Sequence, residues 1–97
     1  MRLAYLVAYD ISDPKRLRRV HRTMRGYGDA LQLSVFHCQL SAAERVLMIE
    51  ALTKVINARE DQILIVNLGP AEQRGANSIE TLGRTIDNAS TRCAIIV

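Results

Sequence analysis

Residues 8–22 read AYDISDPKRLRRVHR. An uncharged run from Leu3 to Tyr9 ends on a single carboxylate, Asp10, and the chain then turns strongly cationic. Lys15, Arg16, Arg18, Arg19, Arg22 and Arg25 fall between residues 15 and 25 with no acid among them. Two chemistries suit a lone strand-end aspartate. It can accept backbone N–H bonds in an Asx-type turn, or it can hold a divalent cation beside a phosphate. Mg²⁺ is commonly bound through one or two carboxylates, with water and substrate oxygens completing its octahedron. One Asp10 per chain therefore suffices if a two-fold axis brings a second copy to the same point. A metal held there activates water and polarises a phosphodiester.

The cations have a shape of their own. With Leu17, Val20 and Met24 as the buried stripe of a helix, Lys15, Arg18, Arg19, Arg22 and Arg25 fall on the opposite half at about 100° per residue, and Arg16 sits at the border. Charged outer faces are routine, but they usually mix signs. Arg18 and Arg22 are a like-charged i,i+4 pair, which costs a few tenths of a kcal/mol in an isolated helix. A face built this way suits a polyanion, and the planar fork of Arg suits phosphate. Arg16, Arg18, Arg19 and Arg22 are accordingly expected to contact phosphate, with Tyr9 orienting one.

The remaining reactive side chains carry less. Ser34 has no G-x-S-x-G around it, so no nucleophile elbow is indicated. His21 and His37 have no ligand-spaced partner and read as structural or surface residues. Cys38 and Cys93 form no C-x-x-C and read as reduced, packed thiols.

Composition agrees with one small globular domain over 1–97. The chain has 97 residues, 48% of them hydrophobic and 24% charged, enough to bury a modest core. The net charge is only +3. Outside residues 15–25 there are seven basic and ten acidic residues, so the positive charge is a local patch on a mildly acidic body. No apolar run reaches the roughly 18 residues of a membrane span. The first residues, MRLAYLVAYDIS, read as a strand rather than a signal peptide. A cytoplasmic protein with no membrane partner is expected.

The elements that must position these residues are legible in outline. Leu3–Asp10 reads as a central strand. Asp13-Pro14 starts a helix, with Asp as N-cap and Pro at the first helical position, and GYG ends it near Gly28. Ala30–Leu40 reads as the second strand, with Gln32, Ser34, Phe36 and Cys38 on one face and Leu33, Val35 and His37 on the other. Ser41-Ala-Ala-Glu44 is a capping box opening a helix with Val46, Leu47, Ile49, Leu52, Val55 and Ile56 on its buried face. Asp61–Leu68 is a strand stopped by Gly69-Pro70, residues 71–77 are an exposed loop, Ser78–Leu82 is a short strand, and Cys93–Val97 is a terminal apolar strand. The expected fold is α+β and ferredoxin-like, a β-α-β-β-α-β antiparallel sheet with two helices on one face and an extra C-terminal strand. Two helices leave the second sheet face open, although Leu3–Val7 and Ile63–Val66 are apolar on both sides. A terminal CAIIV strand left unpaired would be an exposed edge. Both features predict a homodimer.

YDISD at the end of the first strand, YG at the end of the first helix and QLSVFHCQL in the second strand together resemble the CRISPR-associated protein two family, and the likeness runs over the whole chain, including Leu82-Gly83 and the terminal apolar strand. That resemblance implies a ferredoxin-like homodimer whose C-terminal strand joins the partner's sheet. It implies a Mg²⁺ site shared by Asp10 of both subunits, and metal-dependent endonuclease activity on single-stranded RNA or duplex DNA. It implies a place in CRISPR antiviral defence and spacer acquisition, between two integrase dimers, with Arg16, Arg18 and Arg19 in nucleic-acid contact. Ala30-Leu31 stands where relatives often carry a basic residue, and His37 where many carry an acid. Two rival functions fit the same sequence: a non-catalytic homodimeric DNA-binding scaffold bridging integrase dimers, and a stand-alone toxin-like ribonuclease.

Overall fold

The computed structural model describes residues 1–72 and 79–86. β1 (Leu3–Asp10) has the bounds its apolar run predicts. From Tyr5 onward it alternates: Tyr5, Val7 and Tyr9 are buried in the core, while Leu6, Ala8 and Asp10 point to the other face. α1 (Pro14–Arg25) starts where expected, with Asp13 as N-cap and Pro14 in the first turn. Val20 and Met24 are fully buried, but Leu17 is 39% exposed and turns aside from the core stripe.

The run Ala30–Leu40 is not one strand but two. β2 (Gly28–Gln32) and β3 (Val35–Leu40) form a hairpin through Leu33-Ser34, and this split supplies the second central strand that the ferredoxin-like order requires. The turn lacks the Asn-Gly or Asp-Gly signal of a two-residue hairpin. Contacts from elsewhere hold it instead: the Tyr9 N–H donates to the Ser34 carbonyl at 3.0 Å, and the Tyr9 hydroxyl donates to the Leu33 carbonyl at 2.9 Å.

α2 (Ala42–Thr53) opens with the expected reciprocal capping box of Ser41 and Glu44. Its buried residues are Met48 and Leu52, whereas Val46 and Leu47, expected inside, are each 56% exposed. The helix is apolar nearly all round, so periodicity does not select a face. β4 (Gln62–Pro70) continues through Gly69 and ends on Pro70, two residues beyond the expected stop. The pairing with β1 shifts between Ala4 and Tyr5, and Gly69 takes φ 95° there. Pro70 is tolerated because β4 is an edge strand and needs no outward N–H.

The sheet order is β2-β3-β1-β4, all pairs antiparallel. Both helices pack on one face, around Val7, Phe36, Val20, Met24 and Met48, so the α+β, ferredoxin-like expectation holds. On the open face, register aligns Leu6 with Val66 and Ala8 with Leu64, and puts Asp10 opposite Gln62. Leu64 and Val66 remain 52% and 46% exposed. Within the proposed Ser78–Leu82 strand, the described residues contain only an isolated bridge at Thr81. The Cys93–Val97 strand lies outside the described residues.

Candidate nucleic-acid interface and the strand-end carboxylate

The junction between β1 and α1 needs its backbone N–H groups accepted, and other carboxylates do this. Asp13 Oδ2 accepts from the Arg16 N–H at 2.9 Å. Asp61 Oδ1 accepts from the Ser12 N–H at 3.1 Å and from the Ser12 hydroxyl at 3.2 Å. Asp10 is exposed, and its carboxylate takes no hydrogen bond or ion pair among the described residues. The Asx-turn reading therefore belongs to Asp13 and Asp61, and Asp10 stands at the strand end without structural work.

Arg16, expected on phosphate, is engaged within the chain. Its Nε donates to Asp61 Oδ2 at 2.8 Å, and its Nη2 to Asp61 Oδ1 at 3.2 Å and Glu60 Oε1 at 3.0 Å. The Asp61 side chain is fully buried and also accepts from the Asn57 N–H at 2.8 Å. This fork fastens the start of α1 to the loop before β4. The Arg16 guanidinium holds the Asp61 carboxyl well below the usual carboxylate range, helped by the Asn57 and Ser12 N–H groups. Asp61 in turn holds the Arg16 guanidinium above its ordinary value. A carboxyl depressed in the folded state stabilises above its unfolded pKa, near 4, and loses that stabilisation as pH falls toward the folded value. Asp61→Asn should thus melt below wild type at pH 7, and the gap should close as the buffer is taken from about pH 4 toward pH 2. A gap that stays constant over that range would mean that charge at Asp61 contributes nothing.

With Arg16 spent, the α1 cations without an ion pair among the described residues are Lys15, Arg18, Arg19, Arg22 and Arg25, all exposed. Arg18, Arg22 and Arg25 border a cleft of about 640 Å³ between α1 and the Leu33-Ser34 turn, and Asp10 lines the same cleft. Arg19 is not among its lining residues. Tyr9, expected to orient a phosphate, is only 6% exposed and faces inward. Its hydroxyl lies 3.0 Å from His21 Nδ1 as well as 2.9 Å from the Leu33 carbonyl. Burial pushes the Tyr9 phenol up to about 12, so it stays protonated and able to donate.

His21, which reads from the sequence as a structural or surface residue, lines the same cleft. Its Nδ1 is 3.2 Å from the Leu33 carbonyl, and its ring packs edge-on to Phe36 at 5.3 Å between centroids. A carbonyl only accepts, so both groups facing it donate, and Nδ1 carries the proton. The available signal was positional: Leu17 and His21, four apart, flank the Arg18–Arg22 pair on one side of α1. Among the described residues no group of three or more His, Cys, Asp or Glu gathers into a metal cluster. None of their helices is long and apolar enough to cross a membrane.

The family model described as CRISPR associated protein Cas2 matches residues 1–75. A relative from Rhodospirillum rubrum, named CRISPR-associated endoribonuclease Cas2 1, is 44% identical over 93 residues, covering 96% of this chain and 90% of its own length. One from Geobacter sulfurreducens, named CRISPR-associated endoribonuclease Cas2, is 39% identical over 92 residues, covering 95% and 96%. The crystal structure of Streptococcus pyogenes Cas2 superimposes with a TM-score of 0.72 at 36% identity, covering 82% of this chain and 99% of that one. The chain with the strand-end Asp10 and the cationic first helix belongs to the CRISPR-associated Cas2 family.

Proposed function

We propose that this chain acts as a homodimeric, Mg²⁺-dependent endonuclease of CRISPR adaptive immunity, taking part in spacer acquisition beside the integrase. The observation that carries this reading is the unengaged Asp10 carboxylate, exposed at the end of β1 and bordering an arginine-lined cleft. Relatives named endoribonucleases support RNA as the first substrate to try, with duplex DNA the second.

The donor set fits Mg²⁺ better than a transition metal. It is one hard oxygen ligand per chain, with no imidazole or thiolate cluster among the described residues. The apolar strip Leu6, Ala8, Leu64 and Val66 runs along the open face toward Asp10. A second copy covering that strip brings Asp10 of the partner subunit near this one. When bound, Mg²⁺ supplies an acidified water and polarises a phosphoryl oxygen. The chain's own part is to present Asp10 as ligand and to hold the flanking phosphates on Arg18 and Arg22. The test is cleavage of single-stranded RNA and of duplex DNA in Mg²⁺ and in EDTA, by wild type and by Asp10→Ala. Cleavage that survives both EDTA and the substitution overturns the reading.

A second reading, the non-catalytic scaffold between integrase dimers, draws on the same sparse site, since Asp10 has no companion acid in its own chain's described cleft lining. Both readings need the arginines. Each phosphate contact adds about 0.9 to the magnitude of the slope of log K against log salt on B-DNA. Arg18→Ala with Arg22→Ala should lower that slope by up to about 1.8, and Arg16→Ala should leave it unchanged. An unchanged slope in the double variant would make the helix a merely solvated face.

A further inference from the structure

The cleft beside Asp10 has two features that phosphate binding alone does not use. Its walls carry apolar side chains that nothing in the described chain covers: Leu33 is 80% exposed at the tip of the hairpin, and Leu17 is 39% exposed on the facing helix. The Leu33 wall is also held in place. Its carbonyl accepts from the Tyr9 hydroxyl at 2.9 Å and lies 3.2 Å from His21 Nδ1, and both donors are fixed by packing on Phe36. An exposed leucine on a pinned turn cannot collapse onto the core, so it is preorganised for a ligand.

We propose that this cleft receives one unstacked base of a single-stranded nucleic acid, seated between Leu17 and Leu33, with the neighbouring phosphates on Arg18 and Arg22. The proposal rests on the nucleic-acid reading above and adds a seat for a base beside the phosphate contacts. The cleft's volume of about 640 Å³ lies within the ~300–1,000 Å³ of small-ligand sites. Charge chooses the occupant: three arginines and a single acid line a slot that also carries Ile11, Leu17 and Leu33 beside the polar His21 and Ser34, which matches an apolar face flanked by anions. A base in a duplex is stacked on both sides and paired, so it cannot enter without flipping, which costs a few kcal/mol. A single strand offers its bases freely and is bound mainly through such faces. The cleft therefore selects single strands, whereas the outer arginines bind either form.

Binding in EDTA, where no cleavage is expected, tests this by fluorescence anisotropy with a short single strand (RNA and DNA versions) and a matched duplex. Leu33→Ala, at a largely exposed position, should weaken the single strand roughly tenfold, the scale of a lost apolar contact, and leave the duplex unchanged. Arg18→Ala should weaken both. A strand with one abasic position and no other accessible base should lose the same factor on wild type and show no further loss on Leu33→Ala. Equal single-strand binding by Leu33→Ala and wild type, or an equal loss on the duplex, overturns the base site. So does a Leu33 effect that persists on the abasic strand, because the occupant is then not a base. A protein that cleaves but shows no Leu33 effect keeps the nuclease reading and loses this one. A base-dependent Leu33 effect sustains this one even if Asp10→Ala has no effect on cleavage.

Discussion

Asp10→Ala should reduce Mg²⁺-dependent cleavage of single-stranded RNA by two orders of magnitude or more, while melting in EDTA at or above the temperature of wild type. The first half follows from the role assigned to the carboxylate. Removing one group on which transition-state stabilisation depends typically costs ~10²–10³ in rate, and a metal ligand removed from both subunits at once should cost no less. The second half follows from electrostatics. Asp10 makes no hydrogen bond or ion pair among the described residues, so nothing is broken by its loss. Two carboxylates facing each other across a dyad repel unless a cation or a proton lies between them. A capping aspartate behaves oppositely, and its replacement by alanine costs about 0.5–2 kcal/mol with or without metal. Mg²⁺ should raise the melting temperature of wild type and not that of Asp10→Ala, because a ligand stabilises only the state that binds it. Both proteins should sediment as dimers at low micromolar concentration. A well-folded monomer would remove the shared site, and destabilisation of the variant in EDTA would return Asp10 to a structural role. Lost cleavage with intact integrase-dependent spacer insertion would put the scaffold reading first.

Gly28→Ala should be among the most damaging single-methyl additions in the chain. Gly28 pairs with Cys38 across the β2–β3 ladder, and a Cβ built there would lie 2.6 Å from Cys38 Sγ and closer still to the His37 carbonyl. Backbone and a fully buried thiol leave no room to give. Overpacking of this kind costs about 1–3 kcal/mol, a drop of ~4–8 °C per kcal/mol for a domain of this size. The glycine is needed for close approach rather than for its backbone angles. Trimming the neighbour tests that reason: Cys38→Ala should restore only part of the loss, because the nearer obstacle is the main-chain oxygen of His37. A Gly28→Ala protein melting within a degree of wild type would show that the strand moves aside freely. Two of the stretches that carry the family resemblance, YG and QLSVFHCQL, thus meet in space at Gly28 and Cys38.

Local signals were sufficient for a good part of this protein. The bounds of β1, the Asp13-Pro14 start of α1 and the Ser41–Glu44 box could be read directly, because each depends on residues within one or two turns of one another. The cationic face of α1 was legible for the same reason, since helical spacing alone puts Lys15, Arg18, Arg19, Arg22 and Arg25 outward. The isolation of Asp10 at the end of an apolar strand was also visible in the chain itself.

What the tertiary structure decided are the places where two distant segments compete for one group. The hairpin turn at Leu33-Ser34 has no Asn-Gly or Asp-Gly pair and is held by Tyr9 and His21, so the run from Ala30 to Leu40 read as a single strand. α2 is apolar on nearly every side, and only its seat on the sheet selects Met48 over Val46 and Leu47. β4 continues through Gly69 to Pro70 because an edge strand has one side with no ladder to satisfy. Spacing puts Arg16 at the border of the cationic face and Arg18 on it, and both read as phosphate contacts, yet Asp61, 45 residues beyond Arg16, takes that arginine's donors. His21 reads by sequence as a structural or surface histidine, and the folding of the hairpin against α1 makes it part of the cleft lining. A carboxylate buried without a partner is costly, so a buried Asp61 draws in whichever cation the fold brings within reach, and no pattern along the chain states which one that is.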